Sequence, residues 1–166
     1  MKLTISDLEG SNNLEVWDNL VDNHLPDFDE TNLLKLDSVS KTFCLLVQLH
    51  YQIMNGGIIQ FIDNSTGDFF HETIEAAKNI GFTELEKLLL NAAEKFPNGK
   101  IPSNWEVRRQ VWDEIGDAYI TKEDDELIVD EAWESFWEDL DNEYYSIVET
   151  LYLKTIEYLK NKTTMN

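Results

Sequence analysis

Eleven Asp and Glu residues fall within the twenty-one positions from Glu123 to Glu143, with no Lys or Arg among them. Carboxylates at this density suit four tasks: imitating nucleic-acid phosphates, capturing a basic partner, binding a cation, or keeping a surface in water. Trp133, Phe136 and Trp137 run through the segment. Those rings separate it from an ordinary disordered acidic tail, because they provide the means to hold the charges onto a core. If 130–140 is helical, then at about 100° per residue Asp130, Glu131, Glu134, Glu138 and Asp141 share an arc of roughly 100°, while Trp133, Phe136, Trp137 and Leu140 centre on another face. Glu131, Glu134, Glu138 and Asp141 then follow one another at about 4.5 to 6 Å of axial rise, the same order as the ~3.4 Å per phosphate of one DNA strand. A face selected only for solubility alternates its signs; here the i,i+4 pairs Asp130/Glu134 and Glu134/Glu138 are like-charged, each costing roughly 0.2–0.5 kcal/mol. The candidate partner-binding residues are therefore Asp124, Asp125, Glu126, Asp130, Glu131, Glu134, Glu138 and Asp139. Asp141 and Glu143 are expected to serve the start of a final helix, as cap and dipole partner.

Other chemistry is weakly encoded. His24, His50 and His71 are metal-ligand types that Asp63 or Asp68 could complete, but no H-E-x-x-H spacing is present, and Asp124-Asp125-Glu126 lacks the alternation and central glycine of a calcium loop. No metal site is assigned. With so many carboxylates no acid/base pair stands out, and no P-loop, nucleophile elbow or dinucleotide-binding glycine fingerprint occurs, so neither catalytic residues nor a cofactor are assigned. Cys44 lies in an apolar stretch, a setting for a small hydrophobe rather than a nucleophile. The enzymatic rival is a hydrolase or metal enzyme with His50, Asp63, Asp68 or His71 gathered at the Asn55-Gly56-Gly57 corner.

The whole chain fits this balance. Its 166 residues carry 33 acidic and 13 basic side chains, a formal charge of −20, with 42% hydrophobic content and five Trp. That is a folded acidic protein of single-domain size spanning 1–166. The charge repels nucleic acid and anionic lipid and attracts basic proteins in a salt-sensitive way. A lone Cys, no signal-peptide core and no bilayer-length apolar run point to the cytoplasm.

Helical periodicity must position the acids. Phe43, Leu46, Val47, His50, Tyr51 and Met54 keep helical spacing, and Leu45, Leu49 and Ile53 make that helix apolar nearly all round, hence central. Asn55-Gly56-Gly57 turns it into a second short helix over 58–62. Asn64 to Asp68 reads as a turn whose Asp68 caps a helix over 69–80. Thr83 and Ser103 open capping boxes with Glu86 and Glu106, starting helices over 85–95 and 107–119. Another helix covers 130–140, and the last runs over 143–160 on Tyr144, Ile147, Val148, Leu151, Tyr152, Thr155 and Leu159. The fold class is an all-α compact bundle of roughly seven or eight helices.

His50-Tyr51, Asn55-Gly56-Gly57, Gln60-Phe61, Asn64-Ser65-Thr66-Gly67, Glu72-Thr73, Ala76-Ala77, Ile80-Gly81, Phe96-Pro97, Arg108-Arg109 and the stretch from Leu140 to Tyr145 together resemble the DMP19-like family of small bacterial helical proteins, over about 42–159. The resemblance implies an all-helical fold, homodimerisation, and carboxylates that imitate duplex phosphates to occupy the DNA site of a transcription factor. The motifs that carry it look like folding devices, so no functional residue is transferred through them. The expected activity is a DNA mimic that blocks a basic DNA-binding protein. The alternative is an immunity or antitoxin factor that neutralises a basic nuclease toxin.

Overall fold

The computed structural model describes residues 3–25, 30–123 and 126–164. A 3-10 turn at Ile5–Leu8 precedes α1 (Asn13–His24), the short α2 (Glu30–Leu33) and the long α3 (Ser38–Asp63). A second 3-10 turn, Ser65–Phe69, leads to α4 (Phe70–Asn79) and α5 (Thr83–Ala93), and a third, Pro97–Gly99, to α6 (Trp105–Gly116). An antiparallel hairpin of β1 (Ile120–Glu123) and β2 (Glu126–Val129) then feeds α7 (Glu131–Thr163), the longest element. This is the expected all-α bundle, with one small hairpin added.

The central helix is α3, as its apolar periodicity predicts. Phe43, Cys44, Leu45, Leu46, Val47, Leu49, Ile53, Ile58, Phe61 and Ile62 are all buried along it. Asp37 starts the helix by accepting from the Val39 and Ser40 N–H groups, satisfying donors that have no intrahelical partner. It packs between α4 and α7, while α1 and α5 also lie against α7. The hairpin registers Ile120 with Val129 and Thr121 with Ile128, and it aligns the entry to α7 through the Asp130 N–H, which donates to the Tyr119 carbonyl at 2.8 Å.

Several expected boundaries differ for physical reasons. The helices expected over 130–140 and 143–160 are one continuous α7, because Leu140, Tyr144, Leu151, Tyr152 and Leu159 bury an unbroken stripe through the acidic stretch. Asp141 and Glu143 therefore lie inside α7 and do not start a final helix. The helix expected to reach Tyr119 stops at Gly116, and the chain enters β1. Asn104, rather than Ser103, caps α6, accepting from the Val107 N–H at 3.0 Å. Thr83 is the first residue of α5, whose cap position is Phe82 with no side-chain bond. Asp68 does not cap α4, since that helix starts at Phe70, one residue later than expected, with Phe69 in the cap position, and the Asp68 carboxylate is held by Arg108 at 2.8 Å.

Candidate functional site

Asp130 sits at the head of α7 and its Oδ1 accepts from the N–H groups of Ala132, at 2.8 Å, and Trp133, at 3.1 Å. It thus serves as the helix cap. Along the helix that follows, Glu131, Glu134, Glu138 and Asp139 are exposed, and among the described residues none of them is paired with a cation. Trp133, Trp137 and Leu140 are buried on the other side at 8%, 3% and 2% exposure. Glu131, Glu134 and Glu138 thus form an exposed row on a helix anchored by Trp133 and Trp137, and Asp141, which helical spacing also puts in that row, is drawn out of it. Asp124 and Asp125 lie outside the described residues, and Glu126 is described only as backbone in β2.

The anchors belong to a larger aromatic cluster. Trp112 of α6 lies 5.7 Å from Trp133 and 5.3 Å from Trp137, Tyr119 stacks on Trp133 at 4.3 Å and 14°, and Phe96 lies 5.7 Å from Trp112. Aromatic pairs at these separations each add about 0.5–1.5 kcal/mol beyond the area they bury. Through them α6 is held beside the N-terminal half of α7. The outer side of α6 carries exposed Glu106, Asp113, Glu114 and Asp117. Exposed carboxylates distant in sequence thus stand on the helix that the aromatic cluster joins to α7. Sequence spacing alone does not show this, because the link runs through Trp112, whose partners on α7 are 21 and 25 positions away.

One turn beyond Glu138, Asp141 has a different task. Its Oδ1 accepts from the Ile58 N–H at 2.7 Å, where the two halves of α3 meet. There Gly57 adopts φ +75°, and a Cβ on it would stand 2.3 Å from Asp141 Oδ2. Only glycine suits both the backbone and the approaching carboxylate. Asp141 caps the second half of α3 from another helix, and burial, reinforced by nearby Glu138, raises its pKa above the ordinary value against the lowering effect of the Ile58 N–H. Around the same corner Asn55 donates to Gln60 Oε1 at 3.0 Å, and Gln60 and Asn64 both donate to Gln52 Oε1, at 2.9 and 2.6 Å.

Arg108 completes the other end of the corner. It is 1% exposed and donates to the carbonyls of Ile62, Pro102 and Asn64 at 2.6, 2.8 and 3.0 Å, while pairing with Asp68. Gly67 leaves room for it, since a Cβ there would stand 2.2 Å from the Ile62 carbonyl and 3.0 Å from Arg108 Nε. The Asn-Gly-Gly and Asn-Ser-x-Gly motifs are thus folding devices.

The residues of the enzymatic rival are not brought together. His50 is buried in the core, its Nδ1 3.0 Å from the Tyr144 hydroxyl and its Nε2 3.1 Å from that of Tyr152, with Trp17 edge-on at 5.6 Å. Burial lowers its pKa below the usual imidazole value, against a smaller raising effect of Asp18. His71 is exposed and its Nε2 lies 3.1 Å from the Ile101 carbonyl, Asp63 is exposed, and Asp68 faces Arg108. His24 pairs with Asp7 at 3.4 Å. Among the described residues no three His, Cys, Asp or Glu side chains group as metal ligands. Burial also pushes the Cys44 thiol up to about 11, the opposite of an activated nucleophile. Among the described residues no helix is long and apolar enough to cross a membrane.

A family model described as DMP19-like protein matches residues 34–162. No curated protein matches, and no solved structure does.

Proposed function

We propose that this chain, which belongs to the DMP19-like family, acts in the cytoplasm as a DNA mimic, presenting the acidic face of α7 to a basic DNA-binding protein in place of duplex DNA. The observation that carries the reading is the row Glu131, Glu134 and Glu138, exposed and without cation partners among the described residues, on a helix whose opposite side is fixed by Trp133 and Trp137. Charges on a packed helix keep their spacing, so the face meets a partner without first paying for order. The acids of α6 widen the field beside it, and the net charge of −20 steers a basic surface toward it over about a Debye length.

Catalysis plays no part in this mechanism. The acids bind by complementarity, and occupancy of the partner's DNA site is the effect. The test is the triple variant Glu131→Gln, Glu134→Gln, Glu138→Gln, which keeps side-chain size and helix propensity while removing three charges. Partner capture from a host lysate is expected to fall at least tenfold with an unchanged circular dichroism spectrum and melting temperature. Undiminished capture by the triple variant contradicts the assignment of this face. Capture of a basic nuclease, instead of a transcription factor, assigns the antitoxin role to the same face.

A further inference from the structure

The ammonium of Lys95, just past the end of α5, lies 4.0 Å from the ring centroid of Phe136 and 6.0 Å from that of Trp133. In a chain with 33 acidic residues, a lysine finds a carboxylate easily. Yet among the described residues Lys95 is paired with none, and aromatic rings hold its charge. Phe136 is half-buried and meets Trp137 edge to face at 4.9 Å and 83°, which fixes the orientation of its ring. On α7 the neighbouring positions are the small Ala132, four residues before, and the exposed carboxylate of Asp139, three residues after.

We propose that the Phe136 ring is the seat for an arginine side chain of the basic partner, and that Lys95 fills this seat in the free protein until the arginine displaces it. The inference rests on the reading of α7 as the partner-binding helix and adds a contact outside the Glu131, Glu134 and Glu138 row, on the aromatic side of that helix. An ammonium is a compact, strongly hydrated charge that returns to water readily, whereas a guanidinium is planar, weakly hydrated and stacks on aromatic faces while its fork engages a carboxylate. The seat offers both elements, a ring and Asp139 beside it. Exchange of Lys95 for arginine thus keeps a cation on the ring and adds a fork for the carboxylate.

The test uses the full chain and two labelled peptides of equal length and charge, octa-arginine and octa-lysine, titrated by fluorescence anisotropy. Wild type is expected to bind the arginine peptide about threefold or more tightly than the lysine peptide. Phe136→Leu is expected to bring that ratio close to one, with circular dichroism checking its fold. Lys95→Met is expected to raise arginine-peptide affinity more than Lys87→Met, which removes one charge from an exposed position elsewhere on α5. An unchanged ratio in Phe136→Leu, or equal gains from the two lysine variants, overturns the inference. If those results coincide with weakened binding of both peptides by the Glu131, Glu134 and Glu138 triple variant, the acidic face stands and only the seat is lost. If the triple variant binds both peptides like wild type, the acidic face itself fails.

Discussion

Asp141 shows how one carboxylate in an acidic run can differ in kind from its neighbours. Glu138, three residues before it, points to solvent, while Asp141 closes the α3 corner through the Ile58 N–H. Replacing Asp141 by Ala removes a cap in trans and is expected to cost about 1–2 kcal/mol in urea unfolding. Gly57→Ala should cost about as much or more, because it meets both the positive φ and the carboxylate 2.3 Å away. His50 supplies a pH prediction. Its folded pKa is lowered by burial, so the unfolded chain takes up the proton first as pH falls. Stability present above the unfolded value of about 6.5 is therefore lost as pH drops through that value toward the folded one. Urea midpoints measured from pH 7.5 to 5 should decline more steeply for wild type than for His50→Gln, which keeps a donor and an acceptor for Tyr144 and Tyr152; equal slopes contradict it. The sequence shows His50 as a core residue by its helical position. It does not show Asp141 as the cap of α3, since that contact joins residues 83 positions apart.

At the scale of elements, α7 joins stability and charge on one helix. Asp130 favours α7 as its cap, but the like charges of Glu134 and Glu138, four residues apart, disfavour the helix slightly, so Glu134→Gln is expected to leave stability unchanged or raise it by a few tenths of a kcal/mol while weakening partner binding. Parallel urea melts and binding titrations read both effects; a variant losing stability and affinity together would show a structural role for Glu134. The aromatic cluster carries the opposite expectation. Trp137→Ala opens the contact among α6, α7 and the Phe96 turn and should cost about 3–5 kcal/mol. Elements with a strong period were legible: the apolar girdle of α3, the acid and aromatic faces of α7, and the existence of α4, α5 and α6. The β1–β2 hairpin was not, because four-residue strands within an acidic stretch leave no alternation long enough to read. The continuity of α7 was missed for a related reason: capping-type residues near Asp141 and Glu143 imitate a helix start that the buried stripe overrides.

Across the whole molecule the charge of −20 is distributed over exposed helix faces, and a shared aromatic interior joins α6 and α7, two helices that each carry exposed acids. The joining of those two helices was invisible in sequence, whereas the negative excess on which the expectation of a basic partner rests was legible from composition alone. Binding should weaken steeply with added salt, since exposed charges act through a screening length of about 10 Å at 0.1 M. The central claim is that the acidic face takes the place of DNA on a basic protein, and competition tests it most directly. Immobilised wild-type protein is exposed to host lysate at low salt and then washed with duplex DNA. The expected result is a DNA-binding protein retained by wild type, released by the duplex, and not retained by the Glu131, Glu134 and Glu138 glutamine variant. A protein retained equally by both, or one that duplex DNA leaves in place, would contradict the account.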